Sequence, residues 1–269
     1  MTNSNIFFPV RKVENPAIAQ GFDVVEDKKY AIVGEIDGKE KILHYCADRY
    51  ELMPNRAIFD ELERLFSLNP TTRDFRSRTS NSNDVLFYRE YTFPKFSSFV
   101  GTKQDGLIAG MGVGNSYNGV RKFNGSINAH RLICTNGLWG VTALMSIRNK
   151  HTAIVQTAVQ ELFMQAMDAI DQFQEQTERY NVLASATRQS DWEDRLEDVA
   201  EKAGIKKFHD DAKAIVRKES AQLYGGVVND WLIYNALNQI TFSDAHNKKA
   251  VEVRQGIDAK LFNTMLATV

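Results

Sequence analysis

The chain of 269 residues has 33 lysines and arginines against 34 acidic residues, so its formal net charge is -1 at pH 7. A hydrophobic fraction of 43% is ordinary for a globular protein and is enough to build a substantial core. The near-neutral charge argues against a protein that coats nucleic acid with its whole surface, although segregated charge would still allow a local binding face.

Cysteine content and hydropathy indicate the cellular location in which we expect the protein. Cys46 and Cys134 are far apart and lie outside any Cys-x-x-Cys spacing, which argues against a disulfide framework and a zinc site built from cysteine pairs. Such sparse cysteine fits a reducing environment, so we expect a cytoplasmic protein. The first residues lack the apolar region of a signal peptide. No segment approaches the run of about 18 apolar residues that crosses a bilayer, so we expect no membrane partner.

The N-terminal third is typical of a β-hairpin followed by a helix. After an irregular arm, residues 29–50 alternate apolar and polar positions around Asp37-Gly38, a strong signal for a two-residue hairpin turn. Asn55 is expected to cap a helix over residues 57–66, whose apolar side chains share one face. The polar stretch 68–84 predicts a loop or an excursion at a sheet edge. It contains three arginines: Arg73, Arg76 and Arg78.

A second β tract is predicted next. Residues 84–91 have the pattern of a strand that Phe93-Pro94 ends, and two further arms are predicted over 107–113 and 125–133. A turn-rich, basic connection joins these two arms. Residues 139–147 are then expected to carry the chain out of the sheet.

From about residue 152 the apolar residues recur at helical spacing. A single helix of about 30 residues is predicted over 152–183, long enough to pack along a sheet or against a copy of itself. Ser190 and Glu193 have the spacing of a capping box and open a short helix that Gly204 should end. Further helices are expected over three ranges: 210–223, 228–240 and 248–266.

These elements predict an α+β fold, with an N-terminal β-hairpin and a small, mainly antiparallel sheet backed by a long helix, followed by a C-terminal helical region. Residues 1–150 would form a β-rich core that includes the basic segment. Residues 151–269 would form a helical region that packs on this core. The two parts could be separate domains or one continuous domain.

Charge is segregated along this order. No acidic residue occurs between Asp105 and Glu161, and that interval contains five cations: Arg121, Lys122, Arg131, Arg148 and Lys150. From Glu161 to Glu201 there are eleven acidic residues against three arginines. We interpret the basic segment, with Tyr117 and Phe123 as stacking rings and the three preceding arginines as an extension, as a nucleic-acid-binding groove. The alternative is a set of core strands whose outward face happens to be basic.

No catalytic site is predicted. His130 and Cys134 would lie on one face of a strand about 13 Å apart, too far for a nucleophile and its base. Acidic residues beside His209 lie at a helix start, where the helix dipole favours them without a metal. Gly112 alternates with glycines on either side, but the lysine and hydroxyl of a phosphate loop are absent. Such glycines admit a backbone or ring at close range, or leave room for a nucleotide. We therefore expect no enzyme, no cofactor and no metal.

Three segments together resemble elements of the phage- and plasmid-like proteins grouped as domain of unknown function 932. They are HYCADRYELMPN (44–55), GNSYNGVRKFNGSINAHRLICTNGL (114–138) and NDWLIYNALNQIT (229–241). The second segment contains the family's Asn-Ser and Arg-x-x-Cys-x-Asn patterns but has Asn118 where an aspartate is more usual. Four residues match the family's Trp-x-x-Tyr-Asn-Ala element: Trp231, Tyr234, Asn235 and Ala236.

The resemblance implies a phage- or plasmid-encoded protein of the host cytoplasm, similar to single-strand annealing proteins of the Red-beta, RecT and Rad52-like group. We therefore expect single-stranded DNA as partner, annealing in recombination without bond chemistry, and a homo-oligomeric ring or filament. The second hypothesis is a phage structural or host-interaction (anti-defence) protein that self-assembles through its long helix. That interface would be lined by four apolar residues: Val155, Leu162, Phe173 and Tyr180.

Overall fold

The protein has an α+β fold, as predicted, with most strands before residue 150 and most helices after it. The computed structural model describes residues 6–24, 27–80, 85–120, 123–132, 141–149, 155–205, 207–243 and 251–269. Two compact units are interleaved along the chain. Unit one comprises Met1–Lys95, Met111–Ser126 and Ser146–Asp168, and unit two comprises Phe96–Gly110, Ile127–Met145 and Ala169–Val269. The predicted division at residue 150 sorts elements by type, whereas each compact unit draws on both halves of the chain.

The N-terminal region forms an antiparallel three-stranded sheet in the order β1-β2-β3. Its elements are β1 (Val10–Glu14), α1 (Pro16–Ala19), β2 (Tyr30–Ile36) and β3 (Lys39–Cys46). The predicted hairpin is β2 and β3. Its turn residues Asp37 and Gly38 have positive φ angles of 53° and 69°, the conformation that makes Asp-Gly a hairpin turn matched to the strand twist.

A five-stranded sheet follows, with neighbouring strands in sequence order. Its strands are β4 (Arg76–Ser80), β5 (Leu86–Val100), β6 (Thr102–Ser116), β7 (Phe123–Arg131) and β8 (Val141–Asn149). Strand β4, at one edge of this sheet, pairs antiparallel with β5 from Arg76 opposite Thr92 to Ser80 opposite Tyr88. The stretch predicted as a loop or edge excursion thus contains an edge strand.

Two predicted strand ends differ from the structure. Strand β5 continues through Pro94 instead of ending there. Because Pro94 lies two residues beyond Thr92, the last residue paired with β4, its missing amide hydrogen costs no bond to that strand. Residues 141–149 remain in the sheet as β8 rather than leaving it. Val141 and Ile147 are β-branched residues that favour a strand.

The helices that follow the hairpin and the sheet have these bounds: α2 (Asn55–Leu68), α3 (Val155–Asp171), α4 (Phe173–Ser185), α5 (Trp192–Ala203), α6 (His209–Leu223), α7 (Asp230–Phe242) and α8 (Val251–Leu266). Two short strands, β9 (Thr187–Arg188) and β10 (Val228–Asn229), pair antiparallel in unit two. Among the described residues, none of the helices combines the length and the apolar character that spanning a bilayer requires.

The single helix predicted over 152–183 is instead two helices, α3 and α4, separated at Gln172. Their apolar faces pack in different units. Leu162 of α3 packs against β7 in unit one, whereas Tyr180 of α4 packs against Trp231 of α7 in unit two, with ring centroids 5.0 Å apart. Most of α3 therefore belongs to unit one, whereas α4 belongs to unit two.

The ends of α5 agree with prediction only at the C-terminus. The helix begins at Trp192, so Asp191 rather than Ser190 precedes it, and the Asp191 side chain makes no capping hydrogen bond within the described residues. Gly204 ends the helix with a φ of 83°, and its amide donates to two carbonyls of the last turn. This left-handed position is where glycine is favoured.

Each unit has its own aromatic core. In unit one, Phe66 of α2 packs against Tyr91 and Phe93 of β5, with ring centroids 5.3 Å and 5.0 Å away. In unit two, Tyr234 of α7 packs against Phe262 of α8 at 5.5 Å. Both cores are built from residues that lie far apart in the sequence.

Candidate nucleic-acid interface

Strands β4 and β5 of unit one form a ladder with two different faces, because side chains alternate across a strand. On one face, Arg89 donates hydrogen bonds to Oγ of Ser77 (2.8 Å) and Oγ1 of Thr79 (3.1 Å). The same guanidinium donates to Oε1 of Glu63 on α2 (2.8 Å), so this face packs on the helix. We call the opposite side the outer face and define it by five residues: Arg76, Arg78, Tyr88, Glu90 and Thr92.

The outer face carries more positive than negative charge. Nε of Arg78 donates to Oε2 of its cross-strand neighbour Glu90 at 2.6 Å, but the arginine remains 46% exposed while the glutamate is 12% exposed. Arg76 and Arg73, the latter in the turn before β4, are exposed and make no ion pair with any residue that the structure describes. Asp74, the acidic residue between them, lies 3.3 Å from Nζ of Lys95.

Tyr88 lies on the outer face with its phenol end against β6. A Cβ atom added to Gly112 would stand 2.5 Å from Cζ of Tyr88 and closer still to its Oη, so a side chain there would displace the ring. Gly112 is buried and Tyr88 is half-buried. The interpretation that an alternating glycine admits a ring at close range is confirmed at this position.

The two aromatic residues predicted to stack on bases are core residues. Tyr117 and Phe123 are 0% and 1% exposed. The Tyr117 ring packs against Phe87 with centroids 4.6 Å apart, and its hydroxyl accepts a hydrogen bond from the amide of Asn55 at 2.7 Å. Burial raises the pKa of Tyr117. Enclosed rings offer no face to a base, so we do not assign either residue to the interface.

Arg131 is buried rather than available to phosphate. Its Nε and Nη2 donate to the two carboxylate oxygens of Asp105 at 2.6 Å and 2.5 Å, and its Nη1 donates to Glu219 at 2.5 Å. Burial alone would lower the pKa of Arg131, but the hydrogen bonds and charges of these two carboxylates outweigh burial and raise it. A phosphate would have to displace both acids, so Arg131 has a structural role in this geometry.

The remaining predicted cations cannot be placed. Arg121, Lys122, Lys150 and the side chain of Arg148 lie outside the described residues, so their part in a groove stays a prediction. Of the ten predicted site residues, the structure brings Arg76 and Arg78 together on one sheet face. Arg73 precedes them by three residues.

Residues of the first two family-like segments meet in a buried polar network in unit one. Nδ2 of Asn115 donates to the carbonyl of Met53 and to Oδ1 of Asn55, both at 2.9 Å. Nδ2 of Asn55 donates to the carbonyl of Ile6 at 2.9 Å. Asn55 is fully buried and is the first residue of α2, so Pro54 occupies the capping position at which Asn55 was predicted.

Residues of the second and third segments meet at Asp105 in unit two. Nε1 of Trp231 donates to Oδ2 of Asp105 at 2.8 Å, beside the two bonds from Arg131. The Tyr224 hydroxyl lies 2.9 Å from the same oxygen, and burial together with the Asp105 charge raises its pKa. Nε2 of Gln239 donates to Glu219 at 2.8 Å. Buried charges are tolerated when they are paired and hydrogen-bonded, so this cluster stabilises the fold.

Other acidic groups have structural partners as well. Buried Asp230 accepts two hydrogen bonds from Arg188 at 2.8 Å and 2.7 Å, and buried Asp258 accepts hydrogen bonds from Tyr234 and Asn238. Nε2 of His209 lies 3.0 Å from a backbone carbonyl. Within the described part of the chain, no group of three or more histidine, cysteine or acidic residues has a metal-binding arrangement.

Sequence reasoning did not identify Tyr88, Asp105 or Glu219. A signal for Tyr88 was present, because it follows the inward-facing Phe87 in a strand and must point to the opposite face. No comparable signal existed for the acids, since Glu219 reaches Arg131 from a helix 88 residues further along the chain.

Comparison with known proteins identifies a family. Residues 42–256 match a family model described as "Domain of unknown function (DUF932)". The matched span contains the whole outer face and the Asp105 cluster. No curated protein and no solved structure matches the chain.

Proposed function

Because the chain belongs to the family described as domain of unknown function (DUF932), whose description names no activity, we propose a function from the residues that it exposes. The protein binds single-stranded DNA through the outer face of unit one, without bond chemistry. The observation that supports this proposal is the set of exposed arginines at an edge strand, in which Arg73 and Arg76 make no ion pair with the described residues.

The chemistry of these arginines suits a phosphate backbone. A guanidinium is always charged and presents paired donors that match phosphate oxygens. Each neutralised phosphate releases counterions from the strand, which drives binding at low salt. Arg76 and Arg78 are two residues apart on one strand, so their Cα atoms are separated by about 6.6 Å. A strand edge with several cations thus offers an extended polyanion more than one contact.

Further parts of the proposal come from the resemblance rather than from the geometry. They are promotion of strand annealing in recombination, assembly of copies into a ring or filament on the DNA, an origin in a phage or plasmid, and a location in the host cytoplasm. The resemblance is to single-strand annealing proteins as a group. Native mass measurement with and without an oligonucleotide tests the assembly, and the rate of pairing of two complementary labelled strands tests the annealing.

No observation favours the alternative of self-assembly through a long helix. The residues expected at that interface include Leu162, Phe173 and Tyr180, which are at most 3% exposed. Their apolar surface is already used within the chain's own units. Val155 is half-buried.

The decisive experiment is a fluorescence anisotropy titration of a labelled single-stranded oligonucleotide over a series of salt concentrations. If Arg73, Arg76 and Arg78 each neutralise one phosphate, the logarithm of affinity should fall with the logarithm of salt with a slope of about -2. The double variant Arg73→Gln/Arg76→Gln should reduce the slope to about -0.7, because one phosphate contact remains.

A matched control separates this surface from general charge. Arg64→Gln removes an exposed arginine of α2 that is paired with Glu61 at 2.7 Å, away from the outer face. This variant lowers the net charge by one, half of the change made by the double variant, and should leave the slope unchanged. A wild-type slope near zero would exclude the proposed function.

A further inference from the structure

The exposed face of α4 in unit two carries acidic groups that end beside an apolar side chain. Glu175, Glu178 and Val182 recur at a spacing of three and four residues, so they lie on one face of the helix, which we call the acidic stripe. All three are exposed, and neither glutamate makes an ion pair with any residue that the structure describes. The stripe is distinct from the buried face of α4, which contains Phe173 and Tyr180.

An open cleft of about 450 Å³ adjoins the acidic stripe in unit two. The described residues that line it are Glu178, Asn181, Val182, Ser185, Ala186 and Val269. Val182 and Val269 are 47% and 54% exposed, so the apolar part of the cleft is open to a partner. Apolar side chains next to unpaired carboxylates are complementary to a segment in which a small apolar side chain is followed by cations.

The turn between β6 and β7 in unit one contains such a segment. Val120 is 76% exposed, more than any other large apolar side chain that the structure describes. Its amide donates to Oδ1 of Asn118 at 3.2 Å, and Gly119 between them has a positive φ of 69°, so the turn holds Val120 at its tip. Arg121 and Lys122 follow directly in the sequence, in an interval without acidic residues.

We propose that the turn at Val120 of one copy of the chain docks on the cleft and the acidic stripe of a second copy. Val120 enters the cleft beside Val182, and the two cations that follow Val120 in the sequence meet the glutamates of the stripe. The two surfaces differ, so the contact is heterologous and copies join head to tail. This inference deepens the assembly part of the proposed function, since a ring or filament requires a heterologous contact.

The first test is sedimentation velocity of the full chain without DNA, over a series of protein concentrations at low salt. Wild-type protein should show an average mass that rises with concentration and falls when salt is added, because added salt screens the charge attraction. Val120→Ser should remain at the mass of one copy. Val253→Ser is the matched control, because Val253 is 50% exposed on α8 and lies outside both surfaces, and it should associate as the wild type does.

The second test exchanges the charges. The double variants Glu175→Lys/Glu178→Lys and Arg121→Glu/Lys122→Glu should each stay monomeric, because each brings like charges together. An equimolar mixture of the two should associate again. The same mixture should stay apart when both variants also carry Val120→Ser, which keeps the charges and removes the apolar anchor.

A matched charge control uses exposed acids of α5. Asp194→Lys/Glu201→Lys makes the same change in net charge away from the acidic stripe and should associate as the wild type does. Thermal unfolding of each variant checks that the fold is intact.

The outcomes separate this contact from DNA binding. A wild-type chain that stays at the mass of one copy would overturn the contact, as would association that Val120→Ser retains or a charge-exchanged mixture that stays apart. Each of these results leaves the salt slope of oligonucleotide binding unaffected. Association without salt-dependent DNA binding would overturn the proposed binding function and leave the contact standing.

Discussion

Arg76 in unit one and Arg131 in unit two both lie on strands of the five-stranded sheet, but their surroundings are opposite. Arg76 is exposed and makes no ion pair with the described residues, whereas Arg131 is 8% exposed and held by two carboxylates. Sequence patterning assigned both to phosphate binding. The difference shows that a cation is available to a ligand only when the fold does not bring an acid to it.

The two arginines also differ in what their removal leaves behind. Around Arg131, Asp105 and Glu219 are buried and depend on the guanidinium for neutralisation. Around Arg76, the facing residue is Thr92, which is uncharged. Loss of the first arginine should therefore affect folding, and loss of the second should affect binding.

The largest expected effect is on stability and comes from Arg131→Met. This change leaves two carboxylates buried without their cation, which should lower the free energy of unfolding by about 3–5 kcal/mol. Urea unfolding followed by circular dichroism at pH 7 measures it.

Arg76→Met is the matched control, since it makes the same substitution on an exposed strand position. Its unfolding midpoint should equal that of the wild type. Equal destabilisation by the two substitutions would show that burial of Arg131 is not the cause.

A smaller loss of stability is expected from Trp231→Phe, which tests the hydrogen bond between the indole and Asp105. Most of the ring is kept, but Asp105 loses the indole donor at 2.8 Å. Removing one hydrogen bond to a buried charge should lower the free energy of unfolding by about 1–3 kcal/mol. Trp192→Phe in α5 is the comparison, because that ring is only partly buried against the core. A similar loss in both variants would indicate that ring volume, and not the bond to Asp105, is responsible.

The smallest effect is expected at the outer face and concerns binding. Glu90→Gln removes the carboxylate that Arg78 contacts at 2.6 Å, so the positive charge of Arg78 would no longer be offset by this ion pair. Single-stranded DNA should bind a few-fold more tightly at low salt, because the repulsion between Glu90 and phosphate is also removed. Glu61→Gln on α2 makes the same change in net charge away from this face. If both variants tighten binding equally, the effect comes from net charge and not from release of Arg78 at the outer face.

Local features of the fold could be predicted from the sequence. Asp37-Gly38 specified the hairpin because few residue pairs accept two positive φ angles. Gly204 specified the end of α5 for the same reason. Helix α6 followed from its spacing of apolar residues, and its predicted bounds differ from the observed ones by one residue.

Features that depend on distant contacts could not be predicted. The break at Gln172 separates α3, most of which lies in unit one, from α4 in unit two, and no local pattern records this division. Tyr117 and Phe123 were predicted to offer stacking faces because they lie in a basic, turn-rich segment, but packing with residues such as Phe87, 30 positions before Tyr117, buries them. The burial of Arg131 depends on Glu219, which the chain supplies 88 residues later.

Interleaving of the two units has a consequence during synthesis. The last segment of unit one ends at Asp168, and by the time the ribosome has made it, residues 96–110 and 127–145 of unit two have already been synthesised. Neither unit can therefore be released by cutting the chain at one point, and a fragment that stops at residue 150 lacks part of both. The nascent polypeptide must keep these early segments of unit two from aggregating until its C-terminal helices arrive, and chaperones commonly meet that need.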